Sequence, residues 1–134
     1  MKKTRVYIDG YNLYYGLLKG TPWKWLDLEL FSKGLLNPDH EIVSIIYFTA
    51  PVKTHPHDPA ALDRQKIYLQ GLSRNPLIKT VLGYYTKNDT LLPFSDGRCG
   101  QCDVTKDGFV PVKKLEEKRS DVNIAVAMLI DAVR

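Results

Sequence analysis

The stretch EIVSIIYFT, residues 41–49, is an almost continuous apolar run with a polar residue at each end. A strand of this kind is typical of the interior of a parallel sheet, where helices cover both faces. On its N-terminal side, Arg5–Ile8 is a shorter β-branched and aromatic run that stops at Asp9. On its C-terminal side, Ile78–Thr86 has the same character and predicts a third strand.

Four segments with helical spacing alternate with these strands: Leu13–Leu18, Leu26–Leu36, Pro59–Ser73 and Asp121–Val133. We expect Asn12 to cap the first helix and Ser120 to cap the last one. In the last helix, one side carries the apolar residues Val122, Ala125, Met128, Leu129 and Ala132. The alternation of strands and helices predicts an α/β fold with a mostly parallel central sheet.

A segment rich in Asp, Gly and Pro follows the third predicted strand, over residues 88–108. We interpret it as a hairpin-like excursion from the sheet, returning through a strand at Phe109–Leu115. A length of 134 residues suits a single domain over positions 1–134.

Composition narrows the functional classes. The chain is 44% hydrophobic and 25% charged, which excludes a disordered or collagen-like protein. No apolar run approaches the roughly 20 residues that cross a bilayer, so no membrane partner is expected. The first apolar run is interrupted at Asp9 and Gly10, too early for a signal peptide, and we expect a cytoplasmic location. The net charge of +4 favours a polyanionic partner, although an ordinary basic surface explains it equally well.

Three polar side chains are candidates for a functional site at the carboxyl ends of the strands, where open parallel sheets bind their ligands. Asp9 ends the first strand, Asn12 follows it, and Asp121 lies in the first turn of the last helix. Carboxylates from separate segments are suitable ligands for Mg²⁺ or Mn²⁺, and such an ion activates water. Each residue also has a purely structural interpretation, as a turn, a helix cap and a helix start respectively.

Two motifs together resemble the NYN family, a branch of the PIN-like nucleases. IDGYNL at residues 8–13 is similar to the family's opening motif, and EEKRSDVNIA at residues 116–125 is similar to its second motif. The resemblance implies a PIN-like three-layer fold and a metal-dependent endoribonuclease that hydrolyses RNA with an activated water. It implies catalytic roles for Asp9, Asn12 and Asp121, with Asp9 and Asp121 binding Mg²⁺ or Mn²⁺.

The sequence departs from that family at its C-terminal end. Members usually continue into a fourth strand with further acidic residues, whereas this sequence ends at Arg134. We therefore expect a PIN-like domain that lacks its C-terminal strand. One alternative is a module of the same fold that binds RNA or protein without catalysis. Another is an α/β phosphatase with Asp9 as nucleophile, which Tyr11 disfavours because an acid is usual there. A strand edge left unpaired also predicts a possible homodimer.

Basic residues precede Asp121 in the sequence. Lys114, Lys118 and Arg119 are candidates for binding the phosphates of RNA, which positions a nucleic acid without reading its sequence. The equally weighted alternative is a solvated charged segment in which these cations pair with Glu116 and its neighbour.

Cys99 and Cys102 have the spacing of one half of a zinc site. A structural zinc needs four ligands, and the sequence has no second cysteine pair. Zn²⁺ at this position therefore requires His55 and His57, or a second chain, to complete the ligand set.

Overall fold

The computed structural model describes residues 1–93 and 109–134. The chain divides into two compact units, Met1–Tyr84 with Glu117–Arg134, and Tyr85–Glu116. The elements in chain order are β1 (Lys2–Asp9), α1 (Gly10–Leu13), a π-helical turn (Tyr14–Leu18), α2 (Leu28–Leu35), β2 (His40–Thr49), α3 (Ala61–Ser73), β3 (Ile78–Leu82), β4 (Tyr84–Pro93), β5 (Phe109–Lys118) and α4 (Ser120–Ala132).

The first unit is built on a three-stranded parallel sheet in the order β1-β2-β3. The apolar strand β2 lies in the centre, where Ile8 pairs with Tyr47 on one side and Ile45 pairs with Ile78 on the other. Ile45 and Phe48 are completely buried, since their side chains point to opposite faces and both faces are covered. The predicted α/β fold with a parallel sheet is therefore confirmed.

One face of the sheet carries the main core. Ile8, Ile45 and Ile78 of the strands pack there with Leu28 of α2 and Leu72 of α3. The other face is covered by α4. Tyr7 points to this face, away from the main core, and donates a hydrogen bond to Asp131 of α4. Helices thus lie on both faces of the sheet.

The first helix differs from the prediction. Asp9, rather than Asn12, is the N-cap, and its carboxylate accepts a hydrogen bond from the backbone N–H of Asn12. The helix runs over Gly10–Leu13 and continues as the π-helical turn, which gives way to Gly20 at a φ of 79°. Sequence pattern identified a polar residue at the start of a helix but placed the cap three residues late, because both Asp and Asn are good caps.

The predicted strand Ile78–Thr86 is wrong as a single element, since Gly83 divides it into β3 and β4. The Gly83 N–H donates to the carbonyl of Thr49, and a Cβ on Gly83 would overlap the carbonyl oxygen of Lys118. β4 belongs to a separate two-stranded sheet with β5, which is three residues longer than the predicted return strand. The apolar pattern continues across the break, so periodicity alone does not reveal it.

The last helix begins one residue earlier than predicted. Ser120 is its first residue rather than its cap, and Arg119 precedes it in the left-handed region with a φ of 76°. The side identified by sequence periodicity is exposed: 61% of Val122 and 67% of Leu129 are accessible to solvent.

Candidate functional site

The parallel strands β1, β2 and β3 end together at Asp9, Thr49 and Leu82, and this end of the sheet is called the carboxyl edge below. β2 lies between the other two strands, so the ends of β1 and β3 are two strand spacings apart, about 10 Å. Asp9 lies at the β1 end of this edge. The start of α4 lies at the β3 end, because Ser120 lies beside Gly83.

The structure brings Asp9 and Asn12 together. Besides the capping bond of 3.1 Å from the Asn12 backbone N–H to Asp9 Oδ1, Asn12 Nδ2 donates to Asp9 Oδ2 at 2.8 Å. Both carboxylate oxygens of Asp9 therefore orient Asn12, whose side chain is exposed. The Asn12 carboxamide retains a second N–H and its carbonyl oxygen, one donor and one acceptor side by side, for a ligand.

Gly10, between Asp9 and Asn12, allows α1 to lie close to the sheet. A Cβ on Gly10 would lie 2.7 Å from the hydroxyl of Tyr47 and 2.8 Å from the carbonyl oxygen of Phe48. Glycine is therefore required by the close approach of α1 to β2. The sequence motif places Asp9 and Asn12 on either side of the residue that makes this approach possible.

Aromatic rings extend from Asn12 along the same helical segment. The rings of Tyr11 and Tyr15 lie 4.6 Å apart, and Tyr14 meets Tyr15 edge to face at 5.1 Å. Lys19 Nζ lies 5.1 Å from the centre of the Tyr15 ring. Burial raises the pKa of Tyr15, and Tyr11 and Tyr14 raise it further. The sequence analysis did not single out Lys19, which has no motif around it.

The loop after β2 is tied to α3 by Gln65. Its side-chain amide donates to the carbonyl of Ala50 at 2.8 Å and accepts from the N–H of Val52 at 2.9 Å. Nearby, Arg64 pairs with Asp58 at 2.5 Å, and this hydrogen bond lowers the pKa of Asp58. No local sequence pattern predicts the pairing of Asp58 with Arg64, because Asp58 lies in the loop and Arg64 lies six positions later, in α3.

The remaining predicted site residues have other partners. Asp121 is exposed, and its carboxylate accepts from the neighbouring Val122 N–H at 3.1 Å. Arg119 lies over the ring of Tyr84, with its guanidinium carbon 5.2 Å from the ring centre. Lys114 pairs with Glu116 at 2.6 Å, the arrangement expected of a solvated charged segment. Lys118 contributes its backbone carbonyl to the contact with Gly83.

Within residues 1–93 and 109–134, no group of three or more His, Cys, Asp and Glu side chains is placed to hold a metal ion. Of the two predicted acidic ligands, Asp9 lies at the β1 end of the carboxyl edge, and Asp121 follows Ser120, which lies beside Gly83 at the β3 end. The predicted zinc ligands Cys99 and Cys102 lie outside the described residues. His55 and His57 stack on each other with ring centres 5.0 Å apart. Among the described helices, none has the length and apolar character needed to cross a membrane.

Comparison with known proteins found a curated relative but neither a matching family model nor a matching solved structure. The relative is a 6-hydroxy-3-succinoylpyridine 3-monooxygenase of Pseudomonas putida, 34% identical over 149 aligned positions. The alignment covers 98% of this chain and 48% of the relative, so the chain spans about half the length of the curated protein that it matches.

This finding overturns the functional prediction. The protein similar to nearly all of this chain is named as a monooxygenase, an oxidoreductase, and not as a hydrolase of RNA. The prediction of a metal-dependent ribonuclease is therefore wrong, and so is the predicted Mg²⁺ or Mn²⁺ cofactor. The alternative prediction, a non-catalytic module of the same fold that binds RNA or protein, is wrong as well. The motifs at residues 8–13 and 116–125 do not by themselves determine an activity, because the same fold carries many different functions.

Proposed function

We propose that this chain forms the substrate-binding part of a monooxygenase-type oxidoreductase that acts on a hydroxylated pyridine carrying an acidic side chain. The observation that supports this proposal is the 34% identity to 6-hydroxy-3-succinoylpyridine 3-monooxygenase along 98% of the chain. A monooxygenase adds one atom of O₂ to its substrate and reduces the other to water, with two electrons and two protons from a reductant. The chain's own residues are proposed to bind and orient the substrate for that reaction.

The polar end of the proposed substrate is matched by Asn12. A 6-hydroxypyridine presents its ring nitrogen and its adjacent oxygen side by side, and in either tautomer one is a donor and the other an acceptor. The exposed Asn12 carboxamide offers the complementary acceptor and donor, just as asparagine pairs with the edge of adenine. Asp9 acts as a positioning residue, because its bond to Asn12 Nδ2 sets the orientation of the amide.

The aromatic and acidic parts of the substrate fit the continuation of this segment. The paired rings of Tyr11 and Tyr15 provide a surface for stacking a pyridine ring. A succinoyl group ends in a carboxylate, and the Lys19 ammonium beside Tyr15 supplies the opposite charge. Asn12 and Lys19 are seven residues apart on a helical segment, about 10 Å along its axis, which is comparable with the length of the extended substrate.

The test is a calorimetric titration with 6-hydroxy-3-succinoylpyridine, comparing the wild-type chain with Asn12→Ala. We expect binding to weaken about tenfold in the variant, because one or two ligand hydrogen bonds of about 1 kcal/mol each are lost. The matched control is Asn37→Ala, which changes another exposed asparagine just before β2, at the opposite end of the sheet. Equal affinities in all three proteins, or no binding by the wild type, would contradict the proposed site.

The role of Lys19 is tested with a second ligand, 2-hydroxypyridine, which has the same ring nitrogen and adjacent oxygen but lacks the acidic side chain. Lys19→Ala is expected to weaken the binding of the acidic ligand and to leave the affinity for 2-hydroxypyridine unchanged. A lysine of merely structural importance would affect both ligands equally. Oxygenation itself is checked by supplying the protein and the acidic substrate with a two-electron reductant and isotopically labelled O₂; the product should gain one labelled atom.

The proposal includes the PIN-like form of the fold. It is supported by the parallel sheet with helices on both faces and by the acidic residues Asp9 and Asp121 at the carboxyl edge. In this view the NYN-like motifs reflect a shared fold that carries a different reaction. An experimental structure of the protein would test it through the order and direction of the strands in its sheet.

A further inference from the structure

The loop that follows β2 runs over residues 50–60 and leads into α3, so it lies at the carboxyl edge. Two consecutive residues of α3 attach it to that helix. Gln65 donates to the carbonyl of Ala50 at the start of the loop. Arg64 donates to the carboxylate of Asp58 near its end. This loop and the proposed substrate site therefore lie at the same end of the sheet.

Arg64 and Asp58 lie close to the helical segment that carries the tyrosine rings. The hydrogen bond to Asp58 raises the pKa of Arg64, and Tyr14 raises it further. The hydrogen bond from Arg64 lowers the pKa of Asp58, and Lys24 lowers it further. These electrostatic effects require proximity, because they fall off with distance. Tyr14 in turn meets the ring of Tyr15 edge to face, so the Arg64 guanidinium lies near the rings proposed to stack the substrate.

The Arg64 guanidinium keeps hydrogen-bonding capacity for a ligand. Within the part of the chain that the structure describes, one of its five N–H groups donates, from Nη2 to Asp58 Oδ2 at 2.5 Å. A bidentate pair would engage two parallel N–H groups, whereas this pair engages one. The other N–H groups are available to a second carboxylate, whose two oxygens match the planar fork of an arginine.

The ion pair of Arg64 and Asp58 can be exchanged at little cost. The two side chains are 47% and 49% exposed, and an ion pair in water contributes little to stability. Gln65 attaches the start of the loop independently of this pair, through two hydrogen bonds to the backbone. The Asp58 N–H also donates to the carbonyl of His55 at 2.9 Å, which holds the end of the loop. A ligand can therefore replace Asp58 at the guanidinium without unfolding the loop.

We propose that Arg64 is a second cation for the carboxylate of the acidic substrate, beside Lys19, and that Asp58 sets the affinity by competing for the guanidinium. This inference rests on the proposed function, because its ligand is the same hydroxylated pyridine with an acidic side chain. A carboxylate offers about four acceptor sites, so it can accept from an ammonium and a guanidinium together. A ligand without an acidic group gains nothing from either residue. The pair therefore determines specificity for acidic substrates.

The test is a calorimetric titration of the wild type, Arg64→Gln and Asp58→Asn with 6-hydroxy-3-succinoylpyridine. Arg64→Gln should weaken binding about fivefold, because it removes a charge that pairs with the ligand. Asp58→Asn should strengthen binding about threefold, because it removes the competing carboxylate. Each variant breaks the same ion pair, so a pair of merely structural importance would change the affinity in the same direction in both. That result, or an unchanged affinity in either variant, would overturn the proposal.

Matched controls remove the same charges from neighbouring exposed positions of α3. Lys66→Gln removes a positive charge and Asp63→Asn removes a negative one, and neither should change the affinity. Controls with effects equal to those of Arg64→Gln and Asp58→Asn would assign the changes to the overall charge of the protein, against the proposal. Titration with 2-hydroxypyridine should give equal affinities in all five proteins, because this ligand has no carboxylate.

The double variant separates competition from direct repulsion. In the Arg64→Gln background, Asp58→Asn should no longer strengthen binding, because the guanidinium for which Asp58 competes is absent. An equal gain in both backgrounds would show that Asp58 repels the ligand directly, and it would refute the competition. Melting temperatures should stay close to that of the wild type, since both substitutions are at exposed positions.

Failure of the proposed function gives a different result. A wild type that does not bind 6-hydroxy-3-succinoylpyridine overturns both proposals. A wild type whose binding depends on Asn12, but not on Arg64 and Asp58, supports the proposed function and overturns this inference alone.

Discussion

Replacing Gly10 with alanine is expected to destabilise the protein, because α1 approaches β2 too closely for a side chain. The added Cβ would lie 2.7 Å from the Tyr47 hydroxyl and 2.8 Å from the Phe48 carbonyl oxygen. The tyrosine can rotate away, but the carbonyl belongs to the backbone of the central strand and can move only with the sheet. Overpacking of this kind costs about 1–3 kcal/mol.

The magnitude is measurable as a change in melting temperature. In a domain of this size 1 kcal/mol corresponds to about 4 °C, so Gly10→Ala should lower the melting temperature by roughly 4–12 °C. Thermal unfolding followed by circular dichroism is the assay. The variant should also bind 6-hydroxy-3-succinoylpyridine more weakly, since Asp9 and Asn12 would move with α1.

The control is the same substitution where space is free. Gly71 lies within α3, and nothing stands within 4 Å of a Cβ added there. Gly71→Ala should therefore raise stability by about 0.5–1 kcal/mol, because alanine loses less conformational entropy in a helix. A Gly10→Ala protein that melts at or above the wild-type temperature, as Gly71→Ala should, would refute the close packing of α1 on β2.

Two further predictions concern partly buried side chains with hydrogen-bond partners. Tyr68→Phe removes the 2.6 Å hydrogen bond from the Tyr68 hydroxyl to the Leu26 carbonyl and should cost about 1 kcal/mol, measured by urea unfolding; an unchanged midpoint would contradict the bond. The hydrogen bond from Tyr7, with the Arg5 guanidinium, lowers the pKa of Asp131 below its usual 3.8, so its stabilising contribution is complete above that value and is lost as the pH falls towards the lowered pKa. Asp131→Asn should therefore melt below the wild type at pH 7, with a difference that narrows below about pH 4; a constant difference would exclude this carboxylate as its source.

The order of the elements was largely predictable from local pattern. The apolar strand at residues 41–49 and the alternation of strands and helices predicted a parallel sheet, and the structure has one. The helix predicted at Pro59–Ser73 begins only two residues later than expected, at Ala61. These features depend on periodicity and turn residues, which act over a few neighbouring positions.

The arrangement of the site was less predictable. The motif at residues 8–13 singled out Asp9 and Asn12, yet their hydrogen bond depends on the approach of α1 to β2. The sequence predicts that Asp121 lies near Asp9; the structure places Ser120, the residue before Asp121, beside Gly83 at the end of β3, and β2 lies between β3 and β1. The position of a side chain along an edge depends on strand order, which contacts between distant segments determine.

The difference is clearest in β3, β4 and α4. Sequence periodicity identifies apolar residues between Ile78 and Thr86 and on one side of α4. It does not show where the strand ends or which side of the helix faces the sheet. At the break, the Lys118 carbonyl occupies the space that a side chain at Gly83 would need, and α4 turns Ser120, Ile124, Ala127 and Asp131 towards the sheet. The local pattern of apolar residues indicates which side chains can be buried. Long-range packing selects the side that is buried, because Tyr7 and Gly83 hold the two ends of α4 and leave its more apolar side in water.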